Sequence, residues 1–407
     1  MKLQHIDMHN VITALSCALD LVGVDEVRHG KRVAIMARAI AQHLNWPELE
    51  CRSILYAGML HDCGVSRIHE HHKLTETLEW DGAEEHCIRG ADYLSACSPL
   101  AHLSDEIRYH HTRWEDLLEL PLDHRVRLRA NLLFLADRVD VLQAPFLSSD
   151  RILIEYPALI ARIKTLSGIL FAPELVDAFS EIADVEAFWL AMEPEYMDED
   201  LRRIGDHTPT TRLDIPALKE LARLFSRAVD AKSPFTDEHS QRVAHIARQL
   251  AMDFGIDGYE LEQVEIAGLL HDVGKLRVSE DIIDKPGSLT PEERATMHRH
   301  SYDTFRILQR VFGDSKIPLW AGFHHETLIG DGYPFKNGKQ DLDLECRIIA
   351  VADIFQAFAQ KRPYRHTMSL DYILDDLQSR VASGRLDGEV VAKLEENAEH
   401  YYRLAVG

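Results

Sequence analysis

Apolar positions recur along this chain at helical spacing. Val33, Ala37, Ile40 and Leu44 fall at i, i+4, i+7 and i+11, and Val243, Ile246, Leu250 and Phe254 fall at i, i+3, i+7 and i+11. Each set lines one face of a helix. Neither half carries a series of alternating, strand-like runs, so the expected fold class is all-α. The pattern breaks over residues 193–213. Acidic and polar residues (Glu195, Asp198, Glu199, Asp200) lead there into Gly205-Asp206-His207-Thr208-Pro209-Thr210-Thr211, which reads as a helix tail and then a linker. The expected domains are therefore 1–195 and 214–407, joined by a linker over 196–213. Asp214 is placed to cap the next helix, with Pro216 in its first turn.

The two halves repeat one another. A shift of 210 positions lays Ala18-Leu19-Asp20 on Ala228-Val229-Asp230 and His29 on His239. It also lays Arg32-Val33-Ala34 on Arg242-Val243-Ala244, and Ala57-Gly58-Met59-Leu60-His61-Asp62 on Ala267-Gly268-Leu269-Leu270-His271-Asp272. In both halves 32 positions separate the first His from the His-Asp pair. His69, His71, His72 and His298 compete for the next place in the pattern. His86 and His300 are preferred because each lies 24 positions before a His-His pair, His110-His111 and His324-His325. Each half then closes on an Asp within an apolar run, Asp137 and Asp353. Two helical domains related by internal duplication follow.

Composition narrows the function. A chain of 407 residues with 46% hydrophobic and 28% charged residues is long enough for two folded domains. Its formal net charge of −22 argues against a nucleic-acid polymer as partner, because such affinity comes from Lys and Arg on phosphates. A small anionic substrate stays compatible if a bound metal dominates the local field. The six cysteines (Cys17, Cys51, Cys63, Cys87, Cys97, Cys346) show no C-x-x-C spacing, which points to reduced thiols and a cytoplasmic protein. No apolar run is long enough to span a membrane. Apolar positions within 11–22 offer a face on which two chains could pair.

The repeated residues suit metal chemistry. Imidazole and carboxylate ligands take first-row ions, with Fe, Mn, Ni and Zn all acceptable. In an adjacent His-Asp pair the imidazole serves one ion while the carboxylate bridges to a second. Seven ligands fit two ions, which together can activate a water and clamp phosphate oxygens.

Across residues 218–369 the chain resembles an HD-GYP domain, a subgroup of the HD phosphohydrolase superfamily. The resemblance rests on Glu238-His239-Ser240-x-Arg242-Val243, Leu270-His271-Asp272-Val273-Gly274-Lys275 and Lys285-Pro286-Gly287-x-Leu289-Thr290. It continues through His324-His325-Glu326, Gly332-Tyr333-Pro334, Val351-Ala352-Asp353 and Arg362-Pro363-Tyr364-Arg365. It implies an all-helical domain that hydrolyses a cyclic dinucleotide, c-di-GMP or 3′,3′-cGAMP, to a linear dinucleotide. It implies two divalent ions on His239, His271, Asp272, His300, His324, His325 and Asp353, with Asp272 bridging and catalytic. Lys275 would contact the scissile phosphate and help protonate the leaving oxygen. Gly332, Tyr333 and Pro334 would flank the substrate, and Arg362 and Arg365 would grip a second phosphate or a base.

The chain departs from that family at named positions. Thr327 stands where Arg is usual and Ile329 where Asp is usual, which leaves the choice between the two dinucleotides open. Phe235 replaces the Glu that holds a third ion in some members, so two ions are expected. The first half keeps His29, His61, Asp62, His86, His110, His111 and Asp137 as a possible second metal site, which makes the whole chain two tandem HD-type domains. Val65 replaces the lysine, Thr112 replaces Glu326, and the Gly-Tyr-Pro loop is missing. That half reads as a metal-binding regulatory or dimerising domain of different or lost activity. Two further readings compete for the chain, a phosphohydrolase of mononucleotides and a silent cyclic-dinucleotide receptor. The Gly-Tyr-Pro loop and Lys275 speak against them.

Overall fold

A computed structural model describes residues 6–21, 28–65, 70, 73–74, 78, 82–147, 149, 151–207, 212–232, 238–360 and 367–406. The chain divides into two compact units, residues 7–211 and residues 212–407 with 1–6. Among the described residues the elements are helices, and β pairing occurs as isolated bridges such as Ser167 with Phe171 and Ile329 with Gly338. The all-α expectation stands.

In residues 7–211 the helix His29–His43 packs on Glu48–Leu60, and His124–Gln143 lies against both. In the second unit His239–Asp253, Gly258–Leu270 and Leu344–Ala359 repeat that arrangement. The third helix of each set is central. Residues 130–140 are buried without interruption, and so are 348–353, and the buried polar members of the first run, Asn131, Asp137, Arg138 and Asp140, all have polar partners. Each fully buried Leu or Ile there contributes about 1.5–3 kcal/mol.

Close helix approach depends on glycine at equivalent places. A Cβ on Gly58 would sit 2.5 Å from Ala34 Cα, and one on Gly268 would sit 2.8 Å from Ala244 Cα. Each contact carries the His-Asp pair at the end of its helix toward the first His of the set. Local signals also behave as read. Asp214 Oδ1 accepts the Ala217 N–H at 2.9 Å with Pro216 inside the first turn. Thr290 and Glu293 form a capping box ahead of the long helix Pro291–Phe312.

Two expectations need correction. The stretch 196–213 is for most of its length the helix Pro194–His207, and the two units divide between Thr211 and Arg212. Its acidic face concealed a short apolar stripe: Met197 and Leu201, one turn apart, are buried, and Asp198 binds Lys31 at 3.0 Å and Arg28 at 3.1 Å. The apolar residues Val11, Ile12, Leu15 and Leu19 are buried where the helix Met8–Leu19 packs on Glu48–Leu60, within their own unit, and do not form a free pairing face. Val22 lies outside the described residues. No helix among the described residues is long and apolar enough to cross a membrane.

Candidate metal centres

The second unit gathers all seven predicted ligands, which the sequence spreads from position 239 to 353. Asp272, just past the end of Gly258–Leu270, is the hub. Its Oδ2 lies 3.3 Å from His271 Nε2 and 3.5 Å from His239 Nε2. Its Oδ1 faces another pair, His300 Nε2 at 3.4 Å and His324 Nε2 at 3.7 Å. Asp353 Oδ1 closes the first group, 3.4 Å from His239 and 3.7 Å from His271. His325 joins His300 and His324 on the other side. One carboxylate thus presents a separate oxygen to each of two histidine groups, which is the arrangement a bridging ligand needs.

The first unit repeats the hub arrangement. Asp62 Oδ2 faces His61 at 3.3 Å and His29 at 3.8 Å, while Oδ1 faces His86 at 3.5 Å and His110 at 3.9 Å. Asp137 Oδ1 lies 3.3 Å from His29, and His111 completes the second group. His86 and His300 lie within these groups. His69, His71 and His72 lie outside the described residues, and His298 stacks on Tyr333 instead of joining a ligand group.

The side chains behind each centre orient the rings. His61 and His271 each place Nδ1 2.8 Å from a carbonyl, Gly58 and Gly268 respectively. His110 and His324 do the same with Ile107 at 2.6 Å and Ala321 at 2.7 Å. An Nδ1–H donated to a carbonyl leaves the Nε2 lone pair free toward the cluster. His61 Nε2, Asp62 Oδ1, His271 Nε2 and Asp272 Oδ1 are buried without a hydrogen-bond partner. Such groups are costly unless something binds them. The orphaned atoms and the donor set both fit a divalent transition ion.

Electrostatics divide the ligands of each centre into two groups. Burial pushes His324 down to about 3 and His300 down to about 4, and likewise His86 to about 3 and His110 to about 4. Those rings are neutral with a free lone pair. Burial works against ionisation of Asp272, yet His271, Lys275 and His239 outweigh it and hold the carboxyl well below the usual carboxylate range. His271 moves the other way, to about 10, because Asp272 and Asp353 overcome its burial. An arriving cation therefore displaces a proton there.

Around the second centre the remaining predicted residues divide. Lys275 sits on the short turn Val273–Arg277 and donates through Nζ to Asp272 Oδ2. Tyr333 lies beside the centre, its ring centroid 4.8 Å from that of His325. Gly332 packs so closely that a Cβ would meet the His325 carbonyl at 2.5 Å, and Pro334 follows in the same loop. Arg362 and Arg365 lie outside the described residues, as does Phe235.

Sequence reasoning missed several participants. Gln356, one turn past Asp353, places Oε1 on His239 Nδ1. Asp140, one turn past Asp137, does the same for His29 at 2.7 Å and also binds Arg32. The shared i+3 offset was a usable signal, hidden because the residue types differ. Glu326 holds the Gly-Tyr-Pro loop, its carboxylate accepting the N–H groups of Phe335 at 2.7 Å and Asn337 at 3.0 Å. His298 stacks on Tyr333, centroids 3.7 Å apart and planes 4° from parallel. At the departures, Thr327 Oγ1 donates to Asp331 at 2.7 Å, while Ile329 is exposed. In the first unit Arg138, beside Asp137 and fully buried, donates to Asp137 Oδ2 at 2.7 Å.

Comparison with known proteins agrees with this duplication. The family model described as HD domain matches residues 27–142, and a second HD-domain model matches residues 223–390. The chain is 38% identical to 3′3′-cGAMP-specific phosphodiesterase 1 of Vibrio cholerae over 99% of this chain and 94% of that protein. It is 31% identical to a cyclic di-GMP phosphodiesterase of Thermotoga maritima over 46% of this chain and 52% of that protein. A crystal structure of the cyclic GMP-AMP phosphodiesterase V-cGAP3 of V. cholerae shares the fold, with a TM-score of 0.65 at 24% identity, covering 97% of this chain and 98% of that one. The chain therefore belongs to the HD-GYP phosphodiesterases of the HD superfamily and carries a second, divergent HD domain ahead of the HD-GYP domain.

Proposed function

We propose that the second domain hydrolyses a 3′–5′ phosphodiester of a cyclic dinucleotide to a linear product, with 3′,3′-cGAMP favoured over c-di-GMP. The observation that carries this reading is the hub geometry of Asp272 together with Lys275 at its edge. The preference for 3′,3′-cGAMP is supported by the near full-length likeness to a relative named for that substrate.

In this reading His239, His271 and Asp353 would hold one divalent ion and His300, His324 and His325 another, with Asp272 offering one oxygen to each group of residues. Divalent ions held there would supply the Lewis acidity that activates a water and neutralises phosphate oxygens. Lys275 places a cation where negative charge develops on the phosphate and leaving oxygen, and supplies the proton that the leaving oxygen needs. Tyr333 forms a wall of the substrate groove, held in place by Glu326 through the loop backbone. Arg362 and Arg365 take the second phosphate or a base by paired guanidinium contacts. The first domain binds metal without efficient turnover, because Val65 supplies no cation and Arg138 already neutralises Asp137.

Hydrolysis of both dinucleotides with Mn²⁺ or anaerobic Fe²⁺ tests this, using wild type, Asp272→Ala and Asp62→Ala. Product from wild type and Asp62→Ala, with none from Asp272→Ala, is the expected outcome. If neither dinucleotide is cut with any metal, the hydrolase reading fails and the receptor reading replaces it.

A further inference from the structure

The first domain contains a cavity of about 620 Å³ that opens onto His111. Its origin is legible by comparison with the second domain. The two domains align without gaps from His86 and His300 to His111 and His325, so Glu84, Ile88, Tyr109 and Thr112 correspond to His298, Tyr302, Phe323 and Glu326. In the second domain these positions hold the Gly-Tyr-Pro loop. Tyr333 stacks on His298, Phe335 lies 5.8 Å from the Tyr302 ring and 5.1 Å from the Phe323 ring, and Glu326 binds the loop backbone.

In the first domain the chain after His111 leaves in another direction. Trp114 and Glu115 give their N–H groups to Leu170 and Ile169 at 3.0 and 3.1 Å, starting the helix Trp114–Glu119. No residue of that helix returns over the histidines in the way Tyr333 does. The cavity lies at the positions that contact that loop in the second domain. Its lining has also changed in chemistry, for Arg108 stands where the second domain has Gly322 and Arg113 where it has Thr327.

We propose that this cavity is a binding site for a small phosphate ester of a nucleoside, separate from the site of the second domain. The volume lies within the range of small-ligand pockets. Arg108 is exposed at the cavity, and guanidinium groups match phosphate oxygens in shape and charge. Arg113, paired with Glu115 at 2.9 Å, lines the same cavity. Tyr109, Phe134 and Ile88 form an apolar and aromatic wall suited to a flat heterocycle. The phosphate end would lie toward His111 and the base against that wall. The proposal rests on the reading of the first domain as a binding rather than a cleaving module.

The test uses the full chain loaded with Mn²⁺ and carrying Asp272→Ala, so that the outcome does not depend on turnover in the second domain. Guanosine 5′-monophosphate is the probe, titrated calorimetrically. One nucleotide per chain is expected, displaced by inorganic phosphate. Arg108→Ala should weaken it at least tenfold, and Ile88→Trp, which fills the cavity, should abolish it while leaving the melting temperature in place. Absence of binding overturns the proposal, as does binding that both variants leave unchanged. If Ile88→Trp fails to fold, Arg108→Ala, a change at an exposed side chain, decides alone. Loss of cyclic-dinucleotide hydrolysis in an otherwise wild-type chain would sink the hydrolase reading and leave this result standing.

Discussion

The two centres of this protein share their ligands and differ in what stands behind and above them. Both present a carboxylate whose two oxygens face two histidine groups. Behind the first His the second domain has a neutral amide, Gln356, while the first has the carboxylate of Asp140, tied to Arg32 and to Gln143 at 2.6 Å. Above the centre the second domain has Lys275, His298 and a tyrosine loop, while the first has Val65, Glu84 and an open cavity. The seven His and Asp positions recur in both halves, whereas Lys275 and the Gly-Tyr-Pro loop occur in the second half alone.

The largest effect that would test this contrast is on turnover. Asp272→Ala should lower cyclic-dinucleotide hydrolysis by about a thousandfold, while Asp62→Ala should stay within about threefold of wild type. Equal losses in a turnover assay would mean that both domains cut. The supports behind the first His come next. Asp140→Ala removes the buried carboxylate that pairs with both His29 and Arg32 and should destabilise the first domain by about 3–5 kcal/mol in denaturant unfolding. Gln356→Leu removes a neutral partner and should cost about 1 kcal/mol, with a roughly tenfold loss of metal affinity by competition with a chelator. A similar cost for the two would show that the carboxylate has no special role.

Lys275→Met should reduce kcat about a hundredfold with the metal content unchanged by elemental analysis. Loss of metal together with activity would make Lys275 a structural partner of Asp272 alone. The smallest effect concerns Lys232, buried under the same turn, where it donates to the Leu276 carbonyl at 2.8 Å. Burial pushes it down to about 8. Between about pH 8 and 10 the unfolded chain binds more protons than the folded one, so stability rises with pH across that window. Lys232→Met should flatten the rise in a pH series of melting curves, and an unchanged slope would exclude this lysine as its source.

Much of this was legible in one dimension. The helical period placed Val33, Ala37 and Ile40 on a buried face, and Leu44 falls just past the helix end, half-buried. Asp214 and Pro216 marked a helix start because capping is a local matter of a side chain meeting N–H groups two or three residues on. The acidic run after position 193 misled, since Met197 and Leu201 form too short a stripe to stand out among charges.

By itself the sequence determined the duplicated helical domains and the fourteen candidate ligands, because a repeated order of His and Asp at matched spacing is a property of the chain alone. The tertiary structure decided which oxygen of Asp62 or Asp272 faces which histidines, that Gln356 and Asp140 stand behind His239 and His29, and that the first domain keeps a cavity where the second has Tyr333. Each of these depends on contacts between residues far apart in sequence, 111 positions for His29 and Asp140 and 117 for His239 and Gln356. Helix packing sets such distances, and no local pattern of residue types encodes them.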